Sequence, residues 1–393
     1  MMLISRAVRA AQKPLTSKVL ADWLSGTSIA GPPVSETSAP RFIAVYRAVS
    51  LVSGAIASLP LVARRVTRNR ERFRARVLEK PHPDMTSYEV WERMLWSLLL
   101  WGDAYALKGR DAADAVAELT PLPPSAVSPR RVPRSDRNPW GKEFSVRLEN
   151  GETATYTPWE ILHIPGPGYD GLRGLSPIGV ARQAIGLGLA AEEFGARFYG
   201  QGTALAGVLQ TDQQLAPEAV AEIRRQWQQR FSGLANAFTA PPILDGGLKF
   251  QTLGMPLEDA QYVATRLHQI EEIARLYGVP PHLLAATDKQ TSWGTGIEQQ
   301  TLALVIYTLT PWMTRIEQRL SAELLPRGVE ADFVTEGLLR GDIKTRYEAY
   351  RSAIEAGWRT RQEIRELEGE PPIPGLDAPV VPLNWKVLTQ ESQ

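Results

Sequence analysis

The chain has 393 residues, 44% of them hydrophobic and 11 of them Trp, enough for the cores of two or three modules and too apolar for a disordered protein. Its 44 basic and 43 acidic side chains leave a formal charge of +1, which excludes a protein that grips phosphates over its whole surface. With no cysteine, disulfides, thiolate metal sites and cysteine nucleophiles are excluded as well.

Residues 1–39 read as a weakly ordered arm carrying Arg6, Arg9, Lys13 and Lys18, without an apolar stretch of signal-peptide length. A helix follows from Phe42 to Ser58, stopped by Pro60, and then a strand from Leu61 to Val66. Seven arginines between Arg64 and Arg76 read as a solvated hairpin between two strands, with DNA or an acidic partner as the alternative. Thr86 and Glu89 form a capping-box pattern opening a helix with a stripe of Trp91, Leu95, Leu98, Leu99 and Trp101, ended by Gly102. The dense apolar stretch Met94 to Trp101 is far short of the roughly 20 residues that cross a bilayer, so neither membrane insertion nor export is expected. Short strands with Pro-rich turns fill residues 103–165, and the front half is α+β.

From Ser176-Pro177, with Pro at its permitted first helical position, a helix is expected to Tyr199. It contains Gly179, Gly186, Gly188 and Gly195, each costing about 1 kcal/mol relative to Ala, and close approach of another helix is the expected reason. A β-α-β-β insert follows: strand Ala206 to Gln210, a helix to Phe231, and strands Pro242 to Leu244 and Leu248 to Leu253. A second long helix runs from Pro256 to Tyr277, so two long helices flank a small mixed module. Beyond a polar loop, residues 287–296, a helix from Ile297 to Leu325 contains Pro311 and should kink there. A strand near Val329 to Val334 and helices at 342–356 and 360–368 complete the pattern.

The chemistry of sites is not legible. The chain has no phosphate-binding loop and no nucleophile elbow, and its four histidines are scattered without ligand spacing, His268 reading as structural or solvent-facing. Asp342, Ile343 and Lys344 match half of a nuclease motif, but Asp342 reads better as a helix N-cap. Glu192-Glu193 and Glu271-Glu272 read as solvated faces or inter-subunit ion pairs. The expectation is a protein that is not an enzyme and uses no cofactor or metal. A nuclease or packaging motor and a structural adaptor of another viral ring assembly are the rival classes.

Several strings, taken in order, resemble phage portal proteins of the Hong-Kong-97 type. They are Ala44 to Pro60, Leu98 to Tyr105 (with Asp103 where Asn is usual), Glu160 to Pro165 with Gly171 to Ile178, and Ile273 to Pro281 with Leu283-Leu284. Glu298-Gln299, Thr308 to Pro311, and Gly357, Thr360, Glu363 and Arg365 (with Gln362 where Asn is common) continue the series. The resemblance implies a portal fold of wing, two-helix stem, β-α-β-β clip and small helical crown. It would divide the chain into wing at 40–175 and 297–340, stem helices at 176–202 and 256–278, clip at 203–255, tunnel-loop region at 279–296, crown at 341–371 and tail at 372–393.

It further implies a ring of twelve subunits at one capsid vertex of a virion, made in the host cytoplasm, through which double-stranded DNA is packaged and ejected. Expected partners are the large terminase, the major capsid protein and a head-tail adaptor. Lys289, Gln290, Thr291 and Ser292 are the DNA-proximal candidates, with a plain solvated loop as the alternative. Arg224, Arg225 and Arg230 are the clip candidates, meeting the motor, the adaptor, a neighbouring subunit or solvent. The stem glycines are the packing candidates.

Overall fold

The computed structural model describes residues 28–67, 71–136, 138–168, 170–200, 207–211, 216–231, 249–252, 259–284, 295–335, 343–368 and 370–379. The chain divides into two compact units, Met1–Phe333 and Val334–Gln393.

In the first unit, helix α1 (Ile43–Ala57) buries Val45, Ala48, Val49, Val52 and Ile56 at helical spacing. It leads into β1 (Leu61–Arg65), β2 (Arg72–Phe73) and the short α2 (Arg76–Glu79). Within the arginine run β1 and β2 pair antiparallel, as expected, while Arg68 and Arg70 lie outside the described residues: Arg65 lies over the Phe73 ring, and Arg72 and Arg74 face Glu79 at 3.7 and 3.6 Å. Helix α3 (Ser87–Trp101) opens on the expected capping box, Thr86 with Glu89, and stops at Gly102 in the left-handed conformation (φ +80°).

Two three-stranded antiparallel sheets follow. One has the order β4-β3-β8, from β3 (Asp103–Arg110), β4 (Val116–Leu122) and β8 (Ile161–Pro165). The other is β5-β6-β7, from β5 (Val127–Arg131), β6 (Lys142–Arg147) and β7 (Thr153–Tyr156). They share a core of Tyr105, Val127, Phe144, Val146 and Ile161. A third sheet, β11-β1-β2, joins distant parts of the chain: β11 (Val329–Phe333) pairs antiparallel with β1, Ala331 opposite Ala63.

The helix expected from 176 to 199 is two helices, α4 (Pro177–Val180) and α5 (Arg182–Gly200), broken at Ala181 (φ −93°, ψ 16°). Next come β9 (Gly207–Gln210), α6 (Pro217–Phe231) and β10 (Lys249–Thr252), with β9 and β10 antiparallel. The expected strand Pro242 to Leu244 lies outside the described residues. Helix α7 (Asp259–Tyr277) returns alongside α5, with Arg266 and Glu192 3.3 Å apart.

The last long helix of this unit is not simply kinked. Helix α8 (Thr295–Ala303) passes into a π-helical segment, Leu304–Leu309, and then α9 (Thr310–Glu323), where Pro311 sits in the first turn. Pro311 has no N–H for the usual bond four residues back, and the chain widens instead: the Thr310 N–H and Oγ1 both donate to the Val305 carbonyl.

In the second unit, α10 (Ile343–Glu355) ends before Gly357 (φ +71°), and α11 (Arg361–Leu367) opens on a second capping box, Thr360 with Glu363. Gln362 is buried there and accepts the Ile373 N–H at 3.0 Å, tying down the chain after the helix. Asp342 lies outside the described residues.

Candidate functional site

The antiparallel register of β3 and β8 sets Tyr105 opposite His163 and Asp103 opposite Pro165. Residues two apart on a strand share a face, so Asp103, Tyr105 and His163 converge. The Tyr105 and His163 rings stack at 4.6 Å, and His163 Nε2 donates to Asp103 Oδ1 at 2.7 Å. That bond fixes the tautomer, leaving His163 Nδ1 to accept from Lys142 Nζ at 2.7 Å. Asp103 Oδ1 also accepts the Gly174 N–H at 3.0 Å. A carboxylate at the end of α3 is thereby bonded to the loop that starts the helix pair.

Around it the backbones touch. The Gly166 N–H donates to the Gly102 carbonyl at 2.7 Å, and a Cβ on Gly174 would overlap that same carbonyl oxygen. Ser176 caps α4 by accepting the Gly179 N–H at 3.0 Å, and its hydroxyl lies 2.9 Å from the Leu100 carbonyl and 2.8 Å from Glu36 Oε1. From the other side, the Tyr277 hydroxyl donates to the Leu99 carbonyl at 3.2 Å, and the Thr308 hydroxyl donates to the Gly278 carbonyl. Five of the strings that carry the resemblance therefore meet at the ends of α3, α4 and α7.

Burial sets the protonation of this junction. It pushes Lys142 down to about 8, against the opposing pull of Asp103. It also lowers His163 below its ordinary 6.5, outweighing the Asp103 hydrogen bond. Desolvation drives the Tyr105 and Tyr277 hydroxyls upward, so both stay neutral, and Tyr277 donates as such to Leu99. As pH falls below 6.5 the unfolded chain binds the imidazole proton first. The stability His163 contributes is present above that pH and is lost as pH drops through its lower folded value. The urea midpoint should therefore fall between pH 7 and pH 5, and less steeply in His163→Gln.

The structure treats the other candidates unevenly. Lys289, Gln290, Thr291 and Ser292 lie outside the described residues. Arg224 and Arg225 are exposed on α6, with Arg225 bonded to Glu222; Arg230 is in the same helix. Gly179 and Gly195 are buried. The space over Gly186 and Gly188 is filled by the chain itself: a Cβ at Gly186 would run into Ser28, and one at Gly188 would lie 2.9 Å from the Phe42 ring. Those two glycines have a reason inside the chain, a strap of residues 28–42 laid on α5. From Ser28 onward the arm is thus ordered, with the Ile29 N–H donating to Gln183 Oε1 at 3.0 Å. Glu192 pairs with Arg266 inside the chain, and His268 is exposed between Glu271 and Glu272.

Sequence reasoning missed the Asp103, His163 and Lys142 network. Its trace was the Asp in a string that usually carries Asn, and a buried-strand His; the register that joins them is a long-range property.

The phage portal protein family model matches residues 43–369. The portal protein of Enterobacteria phage HK97 is 34% identical over 348 residues, covering 85% of this chain and 80% of that protein. A probable portal protein of Streptomyces phage phiC31 is 31% identical over 385 residues, covering 94% and 84%. Among solved structures, a chain in the neck of an empty gene transfer agent particle superposes with a TM-score of 0.59 at 23% identity, covering 88% of this chain and 96% of that one. An HK97-family phage portal protein from Corynebacterium diphtheriae gives 0.59 at 18% identity, covering 81% and 99%. With an α+β fold, a family match through residues 43–369 and two relatives above 30% identity, the chain belongs to the phage portal protein family of the HK97 type.

Proposed function

We propose that this chain assembles into a ring of twelve subunits at one capsid vertex of a virion, forming the channel through which double-stranded DNA is packaged and ejected. The observation that carries this reading is the pair of helices α5 and α7 flanking the β9-α6-β10 insert, in a chain that matches the portal model through residues 43–369. In this reading the helix pair is the stem, the insert the clip, the three sheets with α8 and α9 the wing, and residues 341–371 the crown. A junction that fixes the ends of α3, α4 and α7 against one another suits a stem that must transmit load to the wing.

A near-neutral chain fits a channel in which the duplex slides, since many phosphate contacts would hold it. Lys289 with Gln290, Thr291 and Ser292 would then form a polar ring facing the DNA. The exposed Arg224 and Arg225, with Arg230 on the same helix, suit docking of the large terminase during packaging and of the head-tail adaptor afterwards. Neighbouring subunits would come close along the helices that carry Gly179 and Gly195. Contact with the major capsid protein would fall on the wing.

Mass photometry of the purified chain, alone and with its capsid protein, tests the assembly. The expected species has close to twelve times the 43.5 kDa subunit mass. A protein that stays monomeric in both conditions contradicts the reading.

A further inference from the structure

A cavity of about 420 Å³ opens between the two wing sheets and α9, away from the helix pair. Four cations line it: Lys108 and Arg110 from β3, Lys142 from β6 and Arg319 from α9. The carboxylates nearby are already committed. Glu323 receives Lys108 on one oxygen at 2.7 Å and Arg319 on the other at 2.9 Å. Asp103 is taken by His163 and the Gly174 N–H, and Asp114 faces Arg110 at 3.7 Å. Asp170 accepts the N–H groups of Leu172 and Arg173.

Lys142 is left over. Its ammonium touches the neutral His163 ring and, at 3.3 Å, the Leu172 carbonyl, and among the described residues no carboxylate forms an ion pair with it. Asp103 reaches it only through the His163 ring, so a largely desolvated ammonium lacks a direct carboxylate partner, and one monoanion would supply it. A free phosphate is a poorer match, because it would leave the Trp140 and Trp159 rings that line the cavity uncovered. At the mouth, Trp140 and Trp159 are about half exposed, their ring centres 6.5 Å apart, and Arg110 lies 3.6 Å over the Trp159 ring. Exposed Trp beside Arg is the composition of a protein-binding hot spot rather than of a solvated rim.

We propose that this wing cavity receives the Asp or Glu side chain of an acidic segment of a partner protein, its carboxylate on Lys142 and its flanking chain across Trp140 and Trp159. Nothing in the channel reading requires such a site, and it stands or falls separately from ring formation.

Trace acetylation of the full-length protein tests it. With Lys142 titrating near pH 8, that lysine reacts ahead of ordinary lysines, and mass spectrometry follows it individually. The probe is the tripeptide amide acetyl-Gly-Glu-Leu, with the Gln analogue and inorganic phosphate as the other arms. Expected is a roughly tenfold slower acetylation of Lys142 at a peptide concentration ten times its Kd. The Gln analogue and phosphate at the same concentration should leave the rate unchanged, and the protection should weaken with added salt. Equal protection by the Gln analogue, protection by phosphate, or none by the Glu peptide up to millimolar concentration overturns the proposal. Because the readout is on the wild-type chain, it does not depend on a variant folding. Lys142→Met, checked for an unchanged circular dichroism spectrum, should then fail to bind the fluorescently labelled Glu peptide; undiminished binding also overturns it.

Discussion

Gly174→Ala should cost about 4 kcal/mol or more, enough that little soluble protein is recovered. The added methyl would overlap the Gly102 carbonyl oxygen and lie 2.7 Å from the Gly166 nitrogen. Both atoms belong to backbone that is itself bonded, Gly166 N–H to Gly102 carbonyl, so neither can move without breaking the contact between α3 and β8. The Gly174 N–H bond to Asp103 would be lost in the same step. A positive φ is not the cause here, which makes the clash separable from backbone strain. Gly151→Ala supplies the contrast: its φ is +85° but nothing lies within 4 Å, so it should lose only about 1 kcal/mol. Soluble yield, and the urea midpoint of whatever folded protein is recovered, measure the difference, and similar yields and midpoints for the two variants would contradict the close-packed junction.

Asp103→Leu is expected to cost about 3–5 kcal/mol, while Asp103→Asn should cost about 1 kcal/mol. Leucine leaves the His163 Nε2–H and the Gly174 N–H without an acceptor in a site where Asp103 is almost fully buried. It also removes the carboxylate that most favours the charged form of Lys142. Asparagine keeps one carbonyl oxygen, which is all that the two donors use, since both bond to Oδ1. The Asn variant should keep the fold but push Lys142 further below about 8, because the opposing negative charge is gone. Denaturation midpoints and the pH dependence of Lys142 acetylation check the two halves of this expectation.

What was legible in the sequence was local. The capping box at Thr86 and Glu89, the apolar stripe of α3 and its Gly102 stop act within one or two turns, so the residues alone declare them. The same holds for the helix start at Ser176-Pro177, with Pro in its first turn. Pro311 announced a break, but whether the chain would bend or widen depended on what surrounds Leu304–Leu309. The interruption at Ala181 had no marker, because Ala is the best of helix formers. The pairing of β1 with β11 and the meeting of Asp103, His163 and Lys142 join residues far apart in the chain. Neither follows from any periodicity. The glycines of α5 were legible as an anomaly, though at Gly186 and Gly188 the close neighbour is the strap, Ser28 and Phe42.

The measurement that bears most directly on the account is cryo-EM class averaging of the purified, assembled protein viewed down its axis. Rings of twelve subunits are expected, with an open central hole wide enough for a DNA duplex and the helix pair α5 and α7 standing around it. A closed particle without an axial channel would contradict the channel reading and favour a structural adaptor built on the same fold.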